Sequence, residues 1–148
     1  DEFYFLLKDP RNGATGIIYP THQESHVAGV GVMYRILGSR LLFERMKPGA
    51  FPEIDLGLKI NIRDSFLPAN DGSLVVSFTN GKATVADTSH FDAEITLDVS
   101  EFSSMFMGAV SFRSLYTYGL ATISKPEMID KVNRLFATGE RPLTTISF

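Results

Sequence analysis

His22 and His26 stand four residues apart in "HQESH". On a helix that spacing would bring both imidazoles to one face and suit a metal ion. The zinc-protease pattern needs glutamate directly after the first histidine, and here Glu24 comes one position late. No third ligand stands nearby, so the pair reads as part of a polar loop and no metal site is assigned. His90, in "TSHFD", falls between strand-like runs and reads as a turn residue. No serine sits in a G-x-S-x-G elbow. Ser100, Ser111 and Ser124 read instead as helix caps. The glycines build neither a phosphate loop nor a dinucleotide fingerprint, and no cofactor-binding residue is assigned. Asp55, Asp64, Asp92 and Asp98 fall on polar faces or ends of strands, where solvation is the default reading. The Met- and Phe-rich "FSSMFMGAVSF" could line a lipid cavity, though such a stripe is more often core. The unusual feature is the ending "PLTTISF", residues 142–148. It alternates like a strand and finishes on Phe148, a large apolar residue carrying a free carboxylate.

Composition sets the frame for these residues. The 148 residues are 44% hydrophobic and 21% charged, enough for the core of one domain. The net charge of -3, with no basic block, argues against a nucleic-acid surface. The sequence has no cysteine, which excludes disulfides and thiolate metal sites and fits a cytoplasmic protein. No apolar run approaches the ~20 residues that span a bilayer, so no membrane is expected. The opening "DEFYFLLKDP" is acidic, lacks Met and is no signal peptide. It is expected to be a cut inside a longer chain.

The elements that must position any site follow from periodicity. Residues 1–31 read as a connecting segment, and the organised domain as residues 32–148. "VMYRIL" (32–37) reads as a strand, and "SRLLFERM" (39–46) as a short helix capped by Ser39. Ile54, Leu56, Leu58, Ile60 and Ile62 alternate strictly with polar residues, as in a half-buried strand. Leu74, Val76 and Phe78 form the inner face of the next strand, and Asn80-Gly81 is a hairpin turn of type I′. Ala83 and Val85 continue on the return strand, and Ala93, Ile95, Leu97 and Val99 form a fourth run. Residues 53–99 therefore predict an antiparallel meander of four strands. Two short helices follow, in 100–109 and 111–119, the second stopped by Gly119. "ATIS" is a brief strand. Residues 124–139 form the longest predicted helix, with a Ser124/Glu127 capping box and Pro126 in its first turn. The expected fold is α+β: an antiparallel meander sheet with helices packed on one face and a last strand returning to it.

The order of these pieces resembles the C-terminal, sterol-carrier-protein-like domain of the Eis (enhanced intracellular survival) group of GNAT acetyltransferases. "GVMYRIL", "LKINIRDSFLPANDGSLVVSF" with Asp64, Pro68, Asn70 and Gly72, "ITLDVSEFSSMFMGAVSFRSLYTYGLA" and "RLF…PLTTISF" carry the likeness together. The resemblance implies two preceding acetyltransferase-like domains. It also implies acetyl-CoA as cofactor of the full-length protein and none in this fragment. It further implies an amine acceptor and a homo-oligomer when full length. The glycine-containing pyrophosphate loop of the family is absent here, so the fragment alone is not expected to be active. In the family the C-terminal carboxylate reaches the active site and is thought to help deprotonate the amine. By position that role falls to Phe148. The residues themselves leave open that Phe148 merely fills a sheet edge. They leave open too that the domain is a lipid or sterol carrier without catalysis, or that "FYFLL" and residues 8–31 serve a domain or subunit contact.

Overall fold

The computed structural model describes residues 16–17, 27–28 and 34–137. A two-residue pair, β1 (Gly16–Ile17) against β2 (Val27–Ala28), is antiparallel. The body of the domain is a five-stranded sheet in the order β5-β4-β3-β6-β7. Its strands are β3 (Leu56–Arg63), β4 (Gly72–Thr79), β5 (Lys82–Ala86), β6 (Ala93–Asp98) and β7 (Ala121–Ile123). Alternation decides the two faces. Leu56, Leu58, Ile60, Ile62, Leu74, Val76, Phe78, Ala93, Ile95 and Leu97 are buried on one face, and Lys59, Asn61, Ser77, Glu94 and Thr96 are half-buried on the other. The β4–β5 hairpin turns on Asn80 and Gly81, both at positive φ (51° and 72°), as a type I′ turn requires. Gly81 also lies against residues 49–51. Its carbonyl accepts from the amides of Gly49 and Phe51, and a Cβ there would come within 2.9 Å of the Phe51 carbonyl oxygen.

The sheet is mixed, which corrects the expected four-strand meander. β3, β4 and β5 are antiparallel neighbours, but β6 pairs parallel with β3, Leu58 opposite Ala93 through Arg63 opposite Asp98. Alternation assigns a residue to a face; it says nothing about which strand lies alongside or in which direction. A crossover of only six residues (87–92) suffices because β5 is short. Ala86, where β5 ends, is level with Lys59 through Val75, and Glu94 at the start of β6 is level with the same Lys59. The link therefore moves sideways only, across about 14 Å of sheet, within the reach of six extended residues at roughly 3.3 Å each. It crosses the polar face above Gly57. A Cβ on Gly57 would lie 3.3 Å from the Phe91 Cα, and Gly57 exchanges two hydrogen bonds of 2.7 Å with Asp92. A strand glycine here lets a second backbone approach closely.

The helices lie on the apolar face: α1 (Ser39–Arg45), α2 (Val99–Phe106), α3 (Phe112–Thr117) and α4 (Ile129–Leu135), the last preceded by a 3₁₀ turn at Pro126–Met128. Between sheet and helices six rings pack against one another: Phe43, Phe51, Phe78, Phe102, Phe106 and Phe136. Neighbouring centroids lie 5.0–6.4 Å apart, mostly edge to face. Several caps differ from expectation. Ser111 caps α3 as expected, its hydroxyl accepting from the Ser114 amide, and Gly119 closes that helix at φ 70°. Asp98, rather than Ser100, caps α2. Ser124 turns to the sheet instead: its hydroxyl accepts from the Glu94 amide and its own amide donates to the Glu94 carbonyl, so the last helix starts later, at Pro126. The segment 34–37 joins no strand. Residues 32–33 of that expected strand, most of segment 1–31 and the closing strand 142–148 lie outside the described residues.

Candidate functional site

The most highly organised polar group lies where the chain enters the body, between residues 35–39 and the loop 64–71. Asp64 is buried, its side chain fully so. Oδ1 accepts from the amides of Phe66 (3.1 Å) and Leu67 (2.9 Å) and from Arg35 Nη2, and Oδ2 accepts from Asn70 Nδ2 at 3.0 Å. Asn70, equally buried, donates to the Ile36 carbonyl and accepts from the Ser39 amide, each at 2.9 Å. Ser39 was the expected cap of α1, but Gly38 holds the cap position and makes no side-chain bond. Asn70 satisfies an orphan amide of the first turn from across the loop. Ile36 is held on its other side by Ser103, whose hydroxyl accepts the Ile36 amide at 3.0 Å and donates to the Val99 carbonyl. Burial pushes the Asp64 carboxyl up, but the Asn70 amide, the Leu67 and Phe66 amides and the Arg35 charge outweigh it. They hold it below the ordinary carboxylate range.

A second polar row crosses the open face of the sheet. Ser73 donates to Asn61, and Asn61 donates to Thr96 (3.0 Å) and Glu94. Lys59 reaches Glu94 at 3.2 Å and lies over the Phe91 ring of the crossover. The Asn61 bond first, then Lys59, hold the Glu94 carboxyl below its usual value. Beside this row, at the β4–β5 edge, a shallow groove of about 450 Å³ is lined by Arg40, Ser73, Val75, Val85 and residues 86–89. Arg40 is already engaged by Glu44 and Asp87.

Chemically, Asp64 and Glu94 act as anchors. Each is held ionised, Asp64 through both oxygens and Glu94 through Oε1, so neither is a general base poised near neutrality. Asp64 also corrects the expectation of a solvated face: its oxygens are enclosed by donors from a loop and from residues far along the chain. Of the other acidic candidates, Asp55 and Asp92 are exposed and Asp98 is a helix cap. His90 is exposed in the crossover, its amide bonded to Thr88, as expected of a turn residue. "FSSMFMGAVSF" places Phe102, Met105 and Phe112 in the core. His22, His26 and Phe148 lie outside the described residues. Among the described residues no three metal-ligating side chains come together, and no helix is long and apolar enough to cross a membrane. The hub escaped sequence reasoning except as the "D…P.N.G" turn, which marks the loop without showing what its side chains grip.

A mixed five-stranded sheet backed by helices on one face defines the class of domain. The sterol carrier protein domain family matches residues 43–145, and the chain belongs to that family. Solved structures share the fold. A GCN5-related N-acetyltransferase from Anabaena variabilis ATCC 29413 is similar with a TM-score of 0.60 and 24% identity, over 73% of this chain and 26% of its own. Eis1 from Mycobacterium abscessus is similar with a TM-score of 0.53 and 24% identity, over 66% of this chain and 24% of its own. A GCN5-related N-acetyltransferase from Kribbella flavida has a TM-score of 0.56 and 20% identity, over 73% and 26%. The chain thus spans about a quarter of the length of these structures. Among curated proteins no sequence matches.

Proposed function

We propose that this chain is the C-terminal domain of an Eis-like GNAT N-acetyltransferase, contributing the carboxylate of Phe148 and part of the amine-acceptor pocket. The observation that carries the reading is the repeated fold likeness to acetyltransferase structures of which the domain forms about a quarter. Asp64 and Glu94, both held below the ordinary carboxylate range, are poor acceptors for the amine's proton. In acetyl transfer the amine nitrogen attacks the thioester carbonyl. A C–N bond forms, the C–S bond breaks, and a proton leaves the nitrogen. An α-carboxyl has an ordinary pKa of ~3.3–3.7. It holds a cationic amine by charge, and burial would raise its affinity for the proton. The described glycines do not fit acetyl-CoA. They stand at turns, helix ends and beneath the crossover, and the first amide after Gly38, the one that opens a helix, is taken by Asn70. The cofactor would bind on the preceding domains, with this chain on the acceptor side.

The test is to append one alanine after Phe148 in the full-length enzyme. The expected result is at least a tenfold fall in kcat for amine acetylation with acetyl-CoA saturation unchanged, in keeping with the ~10²–10⁴-fold worth of acid–base catalysis. Unchanged turnover would end the catalytic reading. The alternative, a lipid or sterol carrier, draws on the family's name. A lipid would have to part the six rings that fill the space between sheet and helices. Saturable binding of a fluorescent fatty acid would favour it.

A further inference from the structure

Resting on the acetyltransferase reading above, we infer that Arg35, Leu37, Leu41 and Phe66 form the surface on which the preceding acetyltransferase region of the same polypeptide docks. Phe66, Leu37 and Leu41 are the three most exposed large apolar side chains among the described residues, at 77%, 68% and 53%. Phe66 and Leu37 are tied to the polar hub, and Leu41 follows on the helix whose first amide Asn70 holds. Asn70 grips the backbone on both sides of Leu37, at Ile36 and Ser39. Asp64 holds the amides of Phe66 and Leu67, and the Arg35 guanidinium, bonded to Asp64, lies 5.4 Å from the centre of the Phe66 ring. Leu41 stands in the first turn of α1, against Gly38.

A single exposed apolar residue needs no explanation, but three gathered on one braced frame mark a contact surface. The frame matters because a surface already rigid loses little freedom on docking. A phenylalanine backed by an arginine is the kind of anchor that dominates interfaces. The occupant follows from the path of the chain. The chain enters the described body at Tyr34, next to Arg35 of the patch, so the preceding region of the polypeptide is tethered to this end. A tether raises the local concentration however dilute the protein is, an advantage that a second copy lacks. Most of the length of the similar acetyltransferase structures lies outside the matched domain, which supplies a partner large enough to cover the patch.

The test uses the full-length polypeptide and the absence of cysteine from these 148 residues. Any native cysteines elsewhere are first replaced by serine. Phe66→Cys, Leu37→Cys and, as an exposed reference beside the opposite edge of the sheet, Lys125→Cys are then labelled with a maleimide. The expected result is labelling of the Phe66→Cys and Leu37→Cys variants at least tenfold slower than of the Lys125→Cys variant, independent of protein concentration. Equal rates at all three positions would overturn the proposal. Protection that disappears on dilution would also overturn it, assigning the patch to a second copy. Because labelling is read apart from a parallel acetylation assay, an inactive polypeptide that still shields Phe66 would sink the catalytic reading alone. An active one that leaves Phe66 open would sink only the docking surface.

Discussion

The aromatic core and the Asp64–Asn70 hub both tie α1 to the rest of the domain, by opposite physics. Phe43 of α1 enters a cluster of rings where attraction is non-directional and every neighbour contributes a little. At the start of the same helix, the Ser39 amide hangs on one oxygen of Asn70, and that bond depends on geometry. A core tolerates a change of shape if volume is kept. A polar hub fails when one member is lost, because the remaining groups stay buried without partners. Function can be built on the second kind of region without disturbing the first, and the exposed Phe66 and Leu37 are carried by the hub alone.

Breaking the core should cost most. Phe78, 1% exposed, touches Phe43, Phe51 and Phe136 with centroids 5.0–6.2 Å away. Phe78→Ala is expected to destabilise the chain by about 3–5 kcal/mol, read as a lower urea midpoint at unchanged slope. Phe78→Leu should cost much less, because most of the volume remains. Equal losses for the two would mean that the rings do not act as a packed cluster.

Breaking the hub comes next. Asn70→Ala leaves the buried Ser39 amide and the half-buried Ile36 carbonyl without their side-chain partner, and a buried orphan such as the Ser39 amide costs roughly 1–3 kcal/mol. The variant should also be more sensitive to acid. The folded Asp64 carboxyl lies below its unfolded value of ~3.9. Its contribution is therefore complete above that value and is lost as pH falls through the lower folded one. Asn70 supplies the largest of the bonds that lower it. Its removal raises the folded value and should move the acid-unfolding midpoint upward. A midpoint that stays in place in the variant would show that Asn70 does not hold the Asp64 charge.

The two regions were unequally legible in the sequence, for a physical reason. Period-2 alternation from Ile54 to Ile62 and the Asn80-Gly81 turn follow from local geometry, so faces and hairpin could be read directly. The resemblance to a sterol-carrier-like domain came from the order of those same local pieces. The hub depends on contacts between residues about thirty positions apart, such as Ser39 with Asn70 and Arg35 with Asp64, and no local pattern announces them. Two of the helix caps failed alike: Asp98 replaced Ser100, and Ser124 was drawn to the strand because the Glu94 backbone offered it partners, while Ser111 and Gly119 stand where expected. The parallel β6 was hidden because alternation carries no direction.

The smallest expected effect tests whether the crossover belongs with the rigid regions or the yielding ones. Gly57→Ala adds a methyl that meets the Phe91 Cα at 3.3 Å and the Asp92 amide nitrogen at 3.5 Å. Replacing glycine within a strand gains roughly 0.5–1 kcal/mol in backbone entropy. The crowding opposes that gain, and its cost depends on whether residues 91–92 can shift by a few tenths of an ångström. Both are exposed, and Phe91 is held by Lys59 through a cation–ring contact that tolerates small displacements. The two terms should nearly cancel, leaving a net change under about 1 kcal/mol. A greater loss, with faster hydrogen exchange at the Gly57 and Asp92 amides, would show the crossover clamped as firmly as the hub; the smaller change would show that only the hub and the ring cluster resist deformation.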